Sequence, residues 1–398
     1  MSGSARATAA PSIGTGAFTD DFLEGLRREG DPPADTAVTM FFETLDAAGP
    51  GLYPLLVRTT GTELDDEQAP GVAPFARALE PWPAWADAAL VKRGQEVFGD
   101  WGMQLASGLF MASLPMTYAC AKGAEPLVRT ARITSNPKRR FLETGQMIID
   151  AMSPNALAPG ERGYRTVRHI RLMHAAVRHT LTHPQDIERI GVAPIEPWDP
   201  GLGVPLNQED LLGCLLAFSV LGLRSLRQVG IRLKEEQIEA YVHAWNLVGY
   251  QIGVRADLLP LNHADATVVA NRIFARQSVS SVAGKELTAT ALEAMQDLLK
   301  SRRLRGLPAS GIRYYLGDEV ATLLGVGPAD WTRVVFPMMR DVDAALSRAL
   351  AWLPGKHSLS AAVGRRIVTG LEDAQRGGGR PAFEITDELK AAWGINVS

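Results

Sequence analysis

Residues 136–183 read NPKRRFLETGQMIIDAMSPNALAPGERGYRTVRHIRLMHAAVRHTLTH and carry the clearest helical pattern of the chain. Apolar side chains recur at helical spacing in two segments, Lys138–Met152 and Gly163–Thr182. The link between them contains prolines and a glycine, which favour a turn. Four of the seven histidines lie in the second half of the stretch. The stretch therefore predicts two consecutive helices, the second of them rich in histidine.

The second predicted helix places one histidine on an apolar face. At about 100° per residue, His174 shares its face with Val167, Ile170, Val177 and Leu181. A buried imidazole needs a hydrogen-bond partner or a metal ion. Arg171 and Arg178 lie about 60° and 40° away from it around the helix. Each guanidinium keeps its charge and needs an anion nearby, either an acidic neighbour or the propionate of a haem. The pattern suits a haem with its iron on His174, and a hydrogen-bonded core histidine is the alternative.

The first predicted helix supplies a possible opposing wall. Residues at positions i, i+3, i+4 and i+7 share one helical face, here Arg140, Glu143, Thr144 and Met147. Such a mixture of polar and apolar groups suits the oxygen-binding side of a haem. Two alternatives stay open: Glu143 can be a solvated charge, and Thr144 can bond back to the carbonyl of Arg140.

These residues carry a family resemblance. The chain resembles the latex-clearing-protein (rubber oxygenase) family in Arg140-x-x-Glu143-Thr144 and in Arg171-x-x-His174-x-x-x-Arg178, with His174 30 positions after Thr144. The family also includes fungal oxygenases that trim prenyl side chains in mycophenolic acid biosynthesis. The resemblance implies a globin-like helical core enlarged by extra helices, haem b held by His174, and O₂-dependent cleavage of an isoprenoid C=C bond. Further similarity extends the match to about residues 110–262.

The chain departs from the family pattern at two positions. Glu143 stands where the rubber-cleaving member has a lysine that binds the iron. The family's catalytic glutamate falls on Ala124 in a gapless match, with Glu125 beside it. By this resemblance, Glu143 or Glu125 is the carboxylate that takes an allylic proton from the substrate.

Other features narrow the class of protein. Hydrophobic residues make up 46% of the chain, charged residues 21%, and the net charge is −3. This composition is typical of a globular protein and argues against a nucleic-acid partner. Cys120 and Cys214 lie in apolar surroundings, as small core residues do. No apolar run is long enough to span a membrane, and the N-terminus lacks an apolar signal region. We therefore expect a cytoplasmic protein, as a monomer or homodimer.

The remaining segments predict an all-α fold. Residues 1–17 form an expected flexible leader, residues 18–376 one large haem-binding domain, and residues 377–398 a flexible break with a short helix. Central helices are expected at Met103–Ala119, kinked at Pro115, and at Asn207–Val229. We expect a further helix at Pro81–Trp101 and a short link at Glu125–Ile133.

Several other side chains have more than one interpretation. Tyr241 and Trp245 can belong to the core or to a pocket wall. His179 and His183 have a spacing that can hold zinc, but a solvated helix end is the preferred interpretation. His169 points away from His174 and is expected at the surface.

Taken together, the residues and the resemblance predict a haem b oxygenase that uses O₂ on a small, apolar, unsaturated metabolite. The alternatives are a non-catalytic, gas-sensing globin relative, a peroxidase-like haem enzyme and a haem-free helical binding protein.

Overall fold

The computed structural model describes residues 12–44, 71–78, 81–133, 137–189, 196–299, 301–338 and 340. The helices are numbered here in chain order: α1 (Asp20–Leu26), α2 (Pro32–Thr44), α3 (Val72–Ala78), α4 (Ala88–Gly108), α5 (Leu114–Ala119), α6 (Ala121–Ile133), α7 (Pro137–Met152), α8 (Arg162–Thr182), α9 (Pro184–Arg189), α10 (Gln208–Gln228), α11 (Glu235–Gln251), α12 (His263–Gln277), α13 (Val282–Leu298) and α14 (Leu307–Leu323). None of the described residues forms a strand of a sheet. The prediction of an all-α fold is confirmed.

Helix α10 lies at the centre of the core. Its N-cap is Asn207, whose side-chain oxygen accepts a hydrogen bond from the backbone N–H of Asp210 at 3.0 Å. Apolar residues surround the helix axis, so α10 can pack against α4, α11 and α12 at once. Phe218 of α10 stacks on Trp245 of α11, with ring centroids 5.5 Å apart. The predicted core helix at Asn207–Val229 therefore has the expected position and nearly the expected ends.

The predicted helical pair is present as α7 and α8, which pack against each other. Both helices begin within one residue of the predicted start and end at the predicted residue. Helix α8 also packs against α2 on its other side. Because α8 lies between α2 and α7, most of its circumference is buried.

Two predicted helices have different bounds in the structure. The helix expected at Pro81–Trp101 begins only at Ala88, where Asp87 accepts hydrogen bonds from two backbone N–H groups as an N-cap, and it continues to Gly108. The continuous helix expected at Met103–Ala119 is divided. Residues 109–113 form a π-helical turn, after which α5 begins. Pro115 lies in the first turn of α5, directly after the π-helical turn.

The prediction of a short link at Glu125–Ile133 was wrong, because these residues belong to helix α6. Pro126 interrupts the helical pattern in the sequence but lies only in the second turn of the helix. The buried side chains of Ala124 and Val128 pack against Ala283 of α13. This contact with α13 stabilises a helix that the local sequence favours weakly.

Part of the expected leader lies on the domain. The backbone N–H of Ile13 donates to the carbonyl of Asp257 at 3.0 Å. Residues Thr15–Ala17 form a 3₁₀ turn. The carbonyl of Thr15 accepts a hydrogen bond from the Arg272 side chain at 2.9 Å. The short helix expected within residues 377–398 lies outside the described residues. In the part of the chain that is described, no helix combines the length and apolar character needed to cross a bilayer.

Candidate functional site

A cavity of about 240 Å³ lies between helices α5 to α8 and α10 to α13. Its walls are mainly apolar, with side chains such as Leu215, Phe218, Val248 and Ile273. A small number of polar groups interrupt this surface. The combination is typical of a small-molecule site, although the volume is below the usual range of about 300–1,000 Å³.

Three of the predicted site residues meet at this cavity. Thr144 and Met147 line it from α7, and His174 lines it from α8. On the same face of α8, Ile170 and Val177 also line the cavity, as the helical pattern predicted. The helix pair thus brings an imidazole, a hydroxyl and a thioether to one apolar space, and the roles of these groups stay predictions.

Arg171 and Arg178 do not line the cavity. The Nε and Nη2 atoms of Arg171 donate to the two carboxylate oxygens of Asp31 at 2.6 and 2.7 Å. Arg178 donates from Nε to Asp35 at 2.6 Å and from Nη1 to the carbonyl of Leu206 at 3.0 Å. Acidic neighbours at the start of α2, Asp31 just before the helix and Asp35 in its first turn, therefore bind both arginines, which was one of the two possibilities left open by the sequence. A haem propionate would have to compete with these ion pairs.

The predicted carboxylates occupy other places. Glu125, on α6, forms an ion pair with Arg129 at 3.6 Å and is not part of the cavity wall. Arg140 and Glu143 belong to α7, but their side chains lie outside the described residues. Their roles in oxygen chemistry stay predictions.

The cavity wall contains two carboxylates that the sequence analysis missed, Glu209 and Asp210 in the first turn of α10. One nitrogen of Arg27, Nη1, lies 3.2 Å from Glu209 Oε2 and 2.8 Å from Asp210 Oδ1. Burial raises the pKa of both carboxyl groups, and the Arg27 charge offsets only part of this effect. Acidic residues are common in the first turn of a helix, so the local sequence does not identify Glu209 and Asp210 as candidate site residues. Only their pairing with the distant Arg27 distinguishes them.

Three further residues line the cavity, of which the two cysteines had been expected in the core and Trp245 either in the core or in a pocket wall. Cys120 and Cys214 both line the cavity as free thiols. Burial raises the pKa of each thiol, to about 12 for Cys214, so both stay neutral near pH 7. Trp245 also lines the cavity, whereas its neighbour Tyr241 is fully buried in the core. Trp245 therefore fits the interpretation as a pocket wall, and Tyr241 fits the interpretation as a core residue.

Two expectations for the remaining histidines were wrong. His169 is buried rather than at the surface, because α8 is covered on most sides. His179 is also buried: its Nε2 lies 2.9 Å from Asp186 Oδ2 and its ring stacks on Phe42. His183 is exposed, as a residue at a helix end is expected to be. Among the described residues, no three His, Cys, Asp or Glu side chains are grouped so that they could hold a metal ion.

Comparisons with known proteins give one consistent result. Residues 95–348 match the family described as "ER-bound oxygenase mpaB/B'/Rubber oxygenase, catalytic domain", and this range includes the whole cavity wall. Rubber oxygenase from Streptomyces sp. (strain K30) is 24% identical over 310 residues, which are 77% of this chain and 69% of that protein. The solved structure of latex clearing protein LCP in the closed state has a TM-score of 0.70 and 20% identity, and covers 90% of this chain and 94% of that one. At this identity the structural likeness shows the fold alone.

Proposed function

The chain belongs to the family of ER-bound oxygenase mpaB/B′ and rubber oxygenase catalytic domains, and on this basis we propose that it uses O₂ to oxidise a small, apolar, unsaturated substrate. The observation that carries the proposal is the position of His174, the imidazole at the wall of a mainly apolar cavity. The same cavity has the family-matched Thr144 on its wall. This arrangement supports a redox cofactor and an apolar substrate in one space.

Haem b is the proposed cofactor, and the cavity residues fit it in their chemistry. A haem would bring four nitrogen ligands of its own, so one side chain would be enough to hold its iron. His174 would be that ligand. Met147 and Met173 also line the cavity and are half-buried. Because methionine side chains are flexible, they can move to admit a macrocycle into a space of this volume.

When bound, the haem would supply the iron that activates O₂. The protein contributes positioning and exclusion of water. Apolar walls such as Leu215 and Val248 would hold a hydrocarbon chain by burial of its surface. Thr144 would offer a hydroxyl to a polar atom beside the cofactor. The neutral thiols of Cys120 and Cys214 add polarizable surface without adding charge.

The proposed reaction is oxidative cleavage of a C=C bond, in which both atoms of O₂ enter two carbonyl products. Transfer of a single oxygen atom is the other outcome that the family allows. A cytoplasmic location and a monomeric or dimeric state stay predictions from the sequence.

The experiment that tests the proposal is an absorption spectrum of the purified protein, produced with full haem supply. We expect a Soret band in the wild type that is lost or shifted in His174→Ala. His183→Ala is the matched control, because His183 lies at the exposed end of the same helix. A colourless wild type would refute the haem proposal, and a Soret band that is identical in both variants would refute His174 as the ligand.

Turnover is measured separately as O₂ consumption with squalene, a hydrocarbon with isoprenoid double bonds. Consumption that depends on squalene and yields carbonyl products supports the oxygenase. Stable, reversible O₂ binding without consumption would instead indicate a gas-binding protein.

A further inference from the structure

Asp210 faces the cavity at a place where the opposite backbone carries no side chain. Gly123 of α6 lines the cavity as Asp210 does. A Cβ atom added at Gly123 would lie 3.0 Å from Asp210 Oδ1 and 3.3 Å from its Cγ. Any side chain larger than hydrogen at position 123 would press on the carboxylate. The absence of a side chain on α6 thus leaves room for a carboxylate contributed by α10.

The two neighbouring carboxylates differ in how firmly they are held. Glu209 is fully buried and accepts from three donors: Arg27 at 3.2 Å, Arg276 at 3.1 Å and Gln277 at 2.8 Å. These three donors fix the position of the Glu209 carboxyl group. Asp210 accepts from the side chains of Arg27 and Asn207, both at 2.8 Å, with one donor at each oxygen. Each carboxylate oxygen can accept two hydrogen bonds, so Asp210 keeps capacity for a further partner.

Several charged groups surround Asp210. A single nitrogen of Arg27 serves both carboxylates. Two adjacent carboxylates in a buried site disfavour the state in which both are ionised. Arg276 is shared between Glu209 and Glu24, and Lys122 faces Glu24 at 3.6 Å. Burial raises the pKa of Asp210, which brings this group closer to the neutral range in which acid–base catalysis is effective.

We propose that Asp210 is the catalytic carboxylate of the cavity, which takes a proton from the substrate and later returns it. The proposal rests on the oxygenase function proposed above. Cleavage of R₂C=CR₂ by O₂ gives two R₂C=O with no net gain or loss of protons. An allylic C–H bond breaks as an O–H bond forms on Asp210. The electron pair left behind forms a C=C bond shifted by one position, and the π pair of the original C=C bond forms a C–O bond to one atom of O₂. The proton then returns to the allylic carbon, where the π pair of the shifted bond forms the C–H bond; the neighbouring carbon binds the second oxygen atom, and the C–C and O–O bonds break to give the two carbonyls.

Asp210 thereby takes the role that the family resemblance implied for Glu143 or Glu125. Glu125 lies outside the cavity wall, whereas Asp210 reaches the cavity from a central helix.

The test compares wild type, Asp210→Asn and the control Asp318→Asn, whose parent carboxylate is 86% exposed. Each haem-loaded protein is checked for its Soret band and then assayed for O₂ consumption with squalene across a pH series. Loss of a general base typically lowers the rate by about 10²–10⁴-fold. We expect a loss of this size in kcat for Asp210→Asn, with little change in KM, and no change for Asp318→Asn. The rise of the wild-type rate with pH should disappear in Asp210→Asn.

A second readout does not depend on turnover. Infrared difference spectra of the wild type over the same pH range should show a carboxylic acid band that is missing in Asp210→Asn. If Asp210→Asn does not fold, Gly123→Ala replaces it, because the added methyl displaces the carboxylate while keeping its charge. This variant should lower kcat and shift the infrared band.

The possible outcomes separate the two proposals. Suppose that the wild type shows turnover and that Asp210→Asn, or Gly123→Ala in its place, keeps the full rate and pH profile. This result refutes the role of Asp210 alone. Absence of turnover in a wild type with no Soret band refutes the proposed function, and this inference with it.

Discussion

Removal of the Asp31 carboxylate should strongly destabilise the protein. The Asp31–Arg171 pair has two hydrogen bonds of 2.6 and 2.7 Å, and the two side chains are only 3% and 10% exposed. Asp31→Ala leaves the Arg171 guanidinium buried without its anion. Breaking a buried ion pair in this way costs about 3–5 kcal/mol. Because a typical protein has a total stability of about 5–15 kcal/mol, we expect a large shift of the unfolding midpoint.

The assay is equilibrium unfolding in urea, followed by helical circular dichroism. Asp318→Ala is the matched control, since Asp318 pairs with Arg313 at the surface and exposed pairs contribute little. The double variant Asp31→Ala/Arg171→Met should recover most of the lost stability, because it removes the unpaired charge and keeps an apolar side chain of similar length. Equal midpoints for Asp31→Ala and Asp318→Ala would refute the reasoning.

The same variants test the propionate pairing that the sequence also allowed. If the ion pair with Asp31 is the lasting partner of Arg171, Asp31→Ala is destabilised by the same amount with and without haem. If Arg171 instead binds a propionate, added haem should remove most of the difference between Asp31→Ala and the wild type.

Three further predictions concern α8 and the cavity. Gly163→Ala places a methyl 2.3 Å from the backbone carbonyl oxygen of Asp150, so the free energy of unfolding in urea should fall by about 1–3 kcal/mol. An unchanged unfolding midpoint would contradict the close approach of α7 and α8. Burial, together with the neighbouring histidine, lowers the pKa of His179, so the unfolded chain binds a proton that the folded state does not. Stability should therefore fall as the pH drops below about 6.5, and His179→Gln should weaken this dependence in urea unfolding at pH 5 to 8. Burial raises the pKa of Cys120 and Cys214, so neither thiol should react with iodoacetamide at pH 7 until urea unfolds the protein. Mass spectrometry measures the labelling, and rapid labelling of the folded protein would show that the thiols are accessible.

The sequence predicted those parts of the fold in which a local pattern and the final packing agree. Helices α7, α8 and α10 show clear helical periodicity over 16 to 21 residues, and their ends were predicted closely. His174 was identified because it is the polar exception on an apolar face. Helix α6 was missed because Pro126 breaks the pattern and the stabilising contact comes from distant α13. The π-helical turn at residues 109–113 could not be predicted, because the residues around it are almost uniformly apolar and show no change of pattern there.

The partners of charged groups could not be predicted in this way. Asp31 lies 140 positions before Arg171, and Arg27 lies 182 positions before Glu209. Neither pair leaves a signal within one helix. An acidic residue in a first turn has a sufficient local explanation in the helix dipole, so nothing in the sequence distinguishes Asp210 from an exposed N-terminal aspartate. These carboxylates became candidates only when the fold placed them at the cavity.

The pairing of Arg27 with α10 also has a consequence for the order of assembly. During synthesis the N-terminal segment leaves the ribosome first, whereas the carboxylates that bind Arg27 follow 182 and 183 positions later. Arg276 and Gln277, which also hold Glu209, are made later still. Helix α1 must therefore wait in solvent, with its guanidinium hydrated, until much of the domain exists. Docking of α1 is therefore expected to be a late event in the folding of the newly made chain.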